Sequence, residues 1–493
     1  MINLLVVIAY VVATLAVGWW GMRRTKTVDD FFLGGRNLGP WLSAFAYGTT
    51  YFSAVLFIGY AGKLGWGFGL YTMFIVLGNA FIGCYLAWHI LASRTRAMTG
   101  RLNARTMPEF LEARYESRFL KILAALVIFV FLVPYTASVY MGLSYLFEIN
   151  MHIPYEWALG FMALLTGVYL IMGGYLALAV TDLIRGVIEF VGVAIMVTYL
   201  TGKAGGFLSA ISKLAKPEHA PALYAPGPIP GWLTLLALVC ITSFGPWALP
   251  QMVQKFYSIK SEAHVRATKI MVTIFALVMS FGAYFTGALT RLFYDKLPVP
   301  KIDQLMPHFL TEHTPPVVAI IILLLVFSAS MSSLSSLVLV SSSAIAIDLY
   351  GGVLRPNASR NSVLMWMRVL CGVFVGCSLA IALIQPTFIV NLMIISWGVL
   401  SGAFLAPLLY GLFWKNATKA GATTAMIVGI TVAVVLYWQL GEKGVPVAGM
   451  LAMIIPCFVL PAVSAITTPP SKATLAQAFG TDQSEVSNGA EQA

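Results

Sequence analysis

"SAFAYGTTYFSAVLFIGYAG" (residues 43–62) and "TSFGPWALPQ" (residues 242–251) are apolar enough to lie in a membrane, yet neither reads as a straight helix. In the first, Gly48, Thr49, Thr50 and Ser53 fall in the middle of the stretch. In the second, Gly245, Pro246 and Pro250 disturb the helical ladder, because proline has no N–H and its ring collides with the preceding turn. A bilayer offers no water to the freed backbone groups, so such breaks persist only where protein or a cavity satisfies them. The two interrupted spans are five spans apart. Breaks at matching places in two five-helix halves point to an inverted repeat with its site near the midplane. An odd number of helices per copy is what gives the copies opposite orientation. Two packing kinks are the alternative.

Composition sets the class. Of 493 residues, 59% are hydrophobic and only 10% charged. Charged surface on that scale does not cover a soluble globule, and apolar windows of roughly 20 residues recur throughout. We expect an all-α integral membrane protein of about thirteen transmembrane helices. Residues 1–40 would hold the first helix and a cytoplasmic loop. Residues 41–413 would form a ten-helix core, 414–468 two further helices, and 469–493 a disordered cytoplasmic tail. The net charge of +11 does not indicate nucleic acid. Lys and Arg cluster in short loops such as "KFYSIKSEAHVRATK" (255–269), the positive-inside pattern. It places the N-terminus outside, the C-terminus in the cytoplasm and the chain in a cell membrane, with a bacterial inner membrane favoured by the short loops. The five cysteines lie apart in apolar spans, the six histidines are scattered, and no metal or nucleophile motif is present. An enzyme is therefore not expected.

"FSASMSSLSS" (327–336) places hydroxyls inside the ninth span. Residues i, i+3 and i+4 share a helix face, so Ala329, Ser332 and Ser333 lie together, and Ser332, Ser335 and Ser336 continue one turn on. Uncharged oxygens suit a small hard monovalent cation that must bind and then leave, and Na+ is the plausible one. The unwound second span, around Thr49 and Phe52, would complete the shell with main-chain carbonyls. Close packing of small residues is the competing reading. Asp182 opens the sixth span, followed by Arg185 and Glu189 at i, i+4 spacing. A charge at membrane depth costs at least ~2.5–3.5 kcal/mol, so it usually marks function; a pair at the membrane edge is the alternative.

"DDFFLGGRNLGPW", "GGYLALAVTD", "PQMVQKFYSIKS", "SASMSSLSSLVLVSSSAIAIDLY" and "GLFWKNATKAGA", in this order, resemble the sodium:solute symporter family. The resemblance implies a leucine-transporter-type 5+5 inverted repeat with two broken helices. It implies a sodium site from the carbonyls of Thr49, Phe52 and Ala329 and the hydroxyls of Ser332 and Ser333. Some relatives bind a second sodium, which would involve Asp182, Ser332, Ser335 and Ser336, but Arg185 stands where the family usually has Gln. Solute would lie against Tyr51, Ser53 and Leu56 on span two, Tyr135, Thr136 and Ser138 on span four, and Phe244 and Trp247 on span seven. "YTAS" (135–138) is similar to the sodium/proline members and "TYFSAVLFIG" (50–59) to the sodium/pantothenate members. The expected activity is sodium-driven uptake of a small nutrient, an amino acid such as proline or a monocarboxylate or vitamin acid. The expected partners are that solute, sodium and the lipid bilayer, with a monomer or weak oligomer. A proton-coupled carrier using Asp182 and a transporter-like membrane sensor are the alternatives.

Overall fold

The computed structural model describes residues 2–24, 32–33 and 36–480. Part of the motif that begins at Asp29 and the end of the tail, 481–493, lie outside the described residues. Among those described, the regular elements are all helices, and the one β feature is an isolated bridge between Leu38 and Ile259. Eight helices are long and apolar enough to cross a membrane. A ninth span forms if Gly231–Trp247 and Pro250–Ser258, bent by 40°, are taken together.

Two long elements turn back on themselves. Residues 169 and 181 of a straight helix would sit about 18 Å apart. Within Tyr155–Lys203, however, the Tyr169 hydroxyl lies 2.6 Å from Thr181 Oγ1. The chain must therefore reverse between them. In Lys419–Ser464 the reversal is at Gly441, whose φ of 60° and ψ of −165° favour a residue without Cβ. It brings Thr418 Oγ1 to 3.2 Å from Ser464 Oγ. The expected thirteen crossings count these two elements twice, split Val55–Arg101 at Gly69, and add Ile2–Arg24.

Both interruptions fall where the breakers stand. Pro40–Tyr51 ends at Phe52, which is extended (φ −111°, ψ 124°), and Val55–Gly65 continues the span. Gly231–Phe244 passes through a short turn to Leu249, also extended, before Pro250 opens Pro250–Ser258. Residues 472–479, expected in the disordered tail, form a helix instead. Its start is fixed by Ser471, and Thr474 Oγ1 donates to Glu116 Oε1 at 2.5 Å. Gln477 Nε2 donates to Arg101 O at 3.1 Å. These hydroxyls supply the local hydrogen bonds that composition alone does not reveal.

Val55–Gly65 crosses Glu262–Phe293 at backbone contact. A Cβ on Gly287 would stand 2.0 Å from Ala61 O, and one on Gly65 would stand 2.3 Å from Gly287 C. Gly287→Val should force the helices apart and destabilise by ~1–3 kcal/mol or more. A lower thermal midpoint in detergent should report it, and an unchanged midpoint would show that the crossing tolerates a side chain.

Candidate functional site

Breaking a helix leaves donors and acceptors to satisfy. At the first break, Leu56 and Phe57 both donate to Ser53 O, at 2.9 and 3.3 Å, and Val55 N donates to Ser53 Oγ at 3.2 Å. Ala54 N donates to Ser330 Oγ at 3.0 Å. With those donors spent on Ser53 and Ser330, the Phe52 carbonyl stays out of the main-chain ladder.

The serine helix, Pro316–Ser343, faces this break and is buried at every residue from Leu325 to Ser343. Thr49 Oγ1 lies 2.7 Å from Ser332 Oγ, and Thr50 Oγ1 lies 3.0 Å from Ser336 Oγ. Ser333 Oγ is shared between Thr50 O at 3.1 Å and Thr49 O at 3.3 Å. A hydroxyl has one hydrogen and two lone pairs. The hydrogen of Ser332 goes to Asp182 Oδ1 at 2.6 Å, so the lone pairs of this oxygen are left for Thr49 or a cation. Thr49, Ser332 and Ser333 thus bring uncharged oxygens from two helical segments together, the kind of donor set that suits Na+, with the Phe52 carbonyl at the adjoining break.

Ala329 lies one turn before Ser333 in the unbroken helix, where its carbonyl keeps a lone pair beyond the ladder bond. Other expected ligands are placed differently. Ser335 donates to Met331 O of its own helix at 2.6 Å. At 100° per residue, position 335 points about 110° away from the mean direction of 329, 332, 333 and 336. Ser330 flanks the other side and reaches Ala54, which the i, i+3, i+4 rule passed over. Asp182, Arg185 and Glu189 are fully buried, not at an exposed edge. The guanidinium of Arg185 is 3.6 Å from Asp182 Oδ1, and its Nε donates to Tyr10 at 3.1 Å. Among the described residues no ion pair joins Arg185 to Glu189. Lys255, read as a loop residue, is 0% exposed, and its Nζ donates to Ser336 Oγ at 3.2 Å.

Beside the seam is a small cavity of about 20 Å³, room for about one water. Tyr51, Ser53 and Leu56 line it, as expected. Asn79, Thr242, Met393 and Trp397, which the sequence did not single out, complete much of the wall. The Tyr51 hydroxyl donates to Thr242 O and closes one side. Trp397 stacks on Tyr51 at 6.1 Å and meets Tyr135 edge-on at 5.8 Å. Through that edge-on contact Tyr135 packs behind the Trp397 wall of the cavity. Thr136 and Ser138 turn their hydroxyls to Leu132 O and Tyr135 O of their own helix, at 2.9 and 2.6 Å. Phe244 packs on Trp247 at 5.5 Å, and Trp247 Nε1 donates to Ile82 O at 3.0 Å. Neither lines the cavity.

Two broken helices around a buried polar centre define a carrier of the leucine-transporter fold. A solved Na+-coupled sialic acid symporter, substrate-bound and outward-open, shares that fold with a TM-score of 0.79 at 20% identity. The match covers 96% of this chain and 98% of that one. Mhp1, a nucleobase-cation-symport-1 family transporter in a closed conformation, matches with a TM-score of 0.54 at 13% identity over 91% of this chain and 98% of its own. The chain belongs to the sodium:solute symporter family, whose model matches residues 31–429. It is similar to the osmoregulated proline transporter OpuE of Bacillus subtilis, 29% identical over 94% of this chain and 95% of that protein. It is also similar to the sodium/pantothenate symporter of Escherichia coli, 31% identical over 86% and 88%. It is accordingly a multi-pass membrane transporter, not an enzyme, and sodium is its coupling ion.

Ser330 and Ser335 give a contrasting pair of tests. Ser330→Ala strands the buried Ala54 N–H and should cost ~1–3 kcal/mol, whereas Ser335→Ala removes only a bond within one helix and should stay within ~0.5 kcal/mol. Thermal unfolding of the two purified variants should separate them in that order. Equal losses would mean that Ser330 does not support the break.

Proposed function

We propose that this chain imports a small carboxylate-bearing nutrient by alternating access, with the sodium held by Thr49 O, Phe52 O, Ala329 O, Ser332 Oγ and Ser333 Oγ. The observation that carries the reading is the seam of Thr49 and Thr50 against Ser332, Ser333 and Ser336, with Ser53 belonging both to the break and to the cavity wall. A cation at the seam draws the break toward the serine helix and fixes Ser53 where a solute would meet it. Ion and solute then strengthen each other's binding by one shared coupling energy. The loaded carrier rocks to the opposite side and releases both. Similarity to proline and pantothenate carriers supports a carboxylate-bearing solute. With the N-terminus outside, as the basic loops indicate, sodium enters with the solute.

One sodium falling through ~100 mV releases ~2.3 kcal/mol. A tenfold gradient brings the total to ~3.7 kcal/mol, enough for roughly 500-fold accumulation of a neutral solute. A proton relay through Asp182 is disfavoured because that carboxylate is held between Ser332 and Arg185.

A thermal-shift screen of small nutrients in sodium and in potassium tests the assignment. A stabilising solute should appear in sodium alone and vanish in the Ser332→Ala/Ser333→Ala double variant. Equal stabilisation in potassium would overturn it. In the parent protein sodium and solute should each tighten the other's binding by the same factor, and that factor should fall toward one in the double variant. Titration of each ligand in the presence and absence of the other reads this out.

A further inference from the structure

The lower half of the serine stripe is already occupied by charge. Lys255 rises from Pro250–Ser258, the second half of the broken seventh span, and its Nζ meets Ser336 Oγ at 3.2 Å. Ser336 in turn is 3.0 Å from Thr50 Oγ1 of the other broken span. The ammonium also lies 4.8 Å from the centre of the Tyr175 ring. One turn away, Asp182 Oδ1 accepts from Ser332 at 2.6 Å with the Arg185 guanidinium at 3.6 Å. These are the side chains among which the family resemblance would put a second sodium.

We propose that Lys255 is a tethered cation that stands in place of a second sodium, so that the carrier binds and moves one sodium per solute. The inference rests on the sodium site proposed above, and three observations support it. First, an ammonium carries the charge of Na+ and here touches a serine hydroxyl that such an ion would use. Second, the charge of Asp182 is already matched by Arg185, and Lys255 adds a further positive charge. Glu189, the remaining acid of the cluster, has both carboxylate oxygens unpartnered among the described residues. If it is ionised the four groups sum to zero, and if it is neutral they sum to plus one. Neither state leaves a negative charge for another cation. Third, Lys255 links both broken spans through Ser336 and Thr50, the cross-link a second ion would otherwise make. A buried ammonium is costly without partners. Ser336 and the face of Tyr175 supply them, and a tether keeps the cation from dissociating with the transported ion.

Equilibrium binding of radioactive sodium to the purified full-length protein counts the sites without knowledge of the solute. The parent protein should bind one sodium per chain with a Hill coefficient near 1. Lys255→Met combined with Arg185→Gln should bind two, and Lys255→Arg should stay at one. Adding Asp182→Asn to the combined variant should return the count to one. If the combined variant is not monodisperse, Lys255→Gln with Arg185→Gln keeps more of the side-chain volume and takes its place, with two sodium ions again expected. Two ions on the parent protein, or one on a folded combined variant, would overturn the proposal. No binding by the parent protein would instead remove the sodium site on which it rests.

Discussion

The structure turns on a seam of hydroxyl and carbonyl oxygens between a helix that breaks and a helix that does not. Pro40–Tyr51 stops at Phe52, and the groups released there are taken up by Ser53, Ser330 and Ser333. In a lipid phase this is a strong constraint, since an unpaired backbone group costs several kcal/mol. The unbroken serine helix therefore acts as a template for the broken one. An ion that joins the same oxygens can act on the shape of the break, and this is how binding at the seam reaches the cavity beside it.

The charged residues obey the same constraint. Arg185 lies along Asp182 with Tyr10 on its other side, and Lys255 is set against Ser336 and Tyr175. None is at a solvated surface. Placing acids and bases from the sixth and seventh spans around one stretch of the ninth ties the moving parts together electrostatically. It also limits how many mobile cations the centre can accept.

Much of the architecture is legible in local chemistry. Proline at 246 and 250 cannot continue a helix, and the cluster from Gly48 to Ser53 weakens one, so both breaks could be located before any tertiary information. Helical periodicity placed Ser332, Ser333 and Ser336 on one side. The same rule overreached at Ser335, because three-residue spacing alone tolerates a drift to the flank, and there the hydroxyl turns to Met331. Trp397 and Met393 were not legible, since nothing in an apolar run distinguishes a side chain that faces a cavity from one that faces lipid. Lys255 was misplaced for a related reason. A lysine beside a run of basic residues looks solvated until a partner such as Ser336, 81 positions away, is known. Thr136 and Ser138 have the composition of a binding site, but their hydroxyls serve their own helix.

The sequence by itself determined that this is a polytopic helical membrane protein, where its helices must break, and that one helix carries a face of uncharged oxygens. These follow from hydropathy, proline geometry and the 3.6-residue period, all of which act over a few residues. Only the tertiary structure decided which oxygens meet, which carboxylate has a cation beside it, and that Trp397 walls the cavity between Tyr51 and Tyr135. Those outcomes depend on how helices distant in sequence are packed, and a displacement of one turn, about 5.4 Å, would exchange every partner.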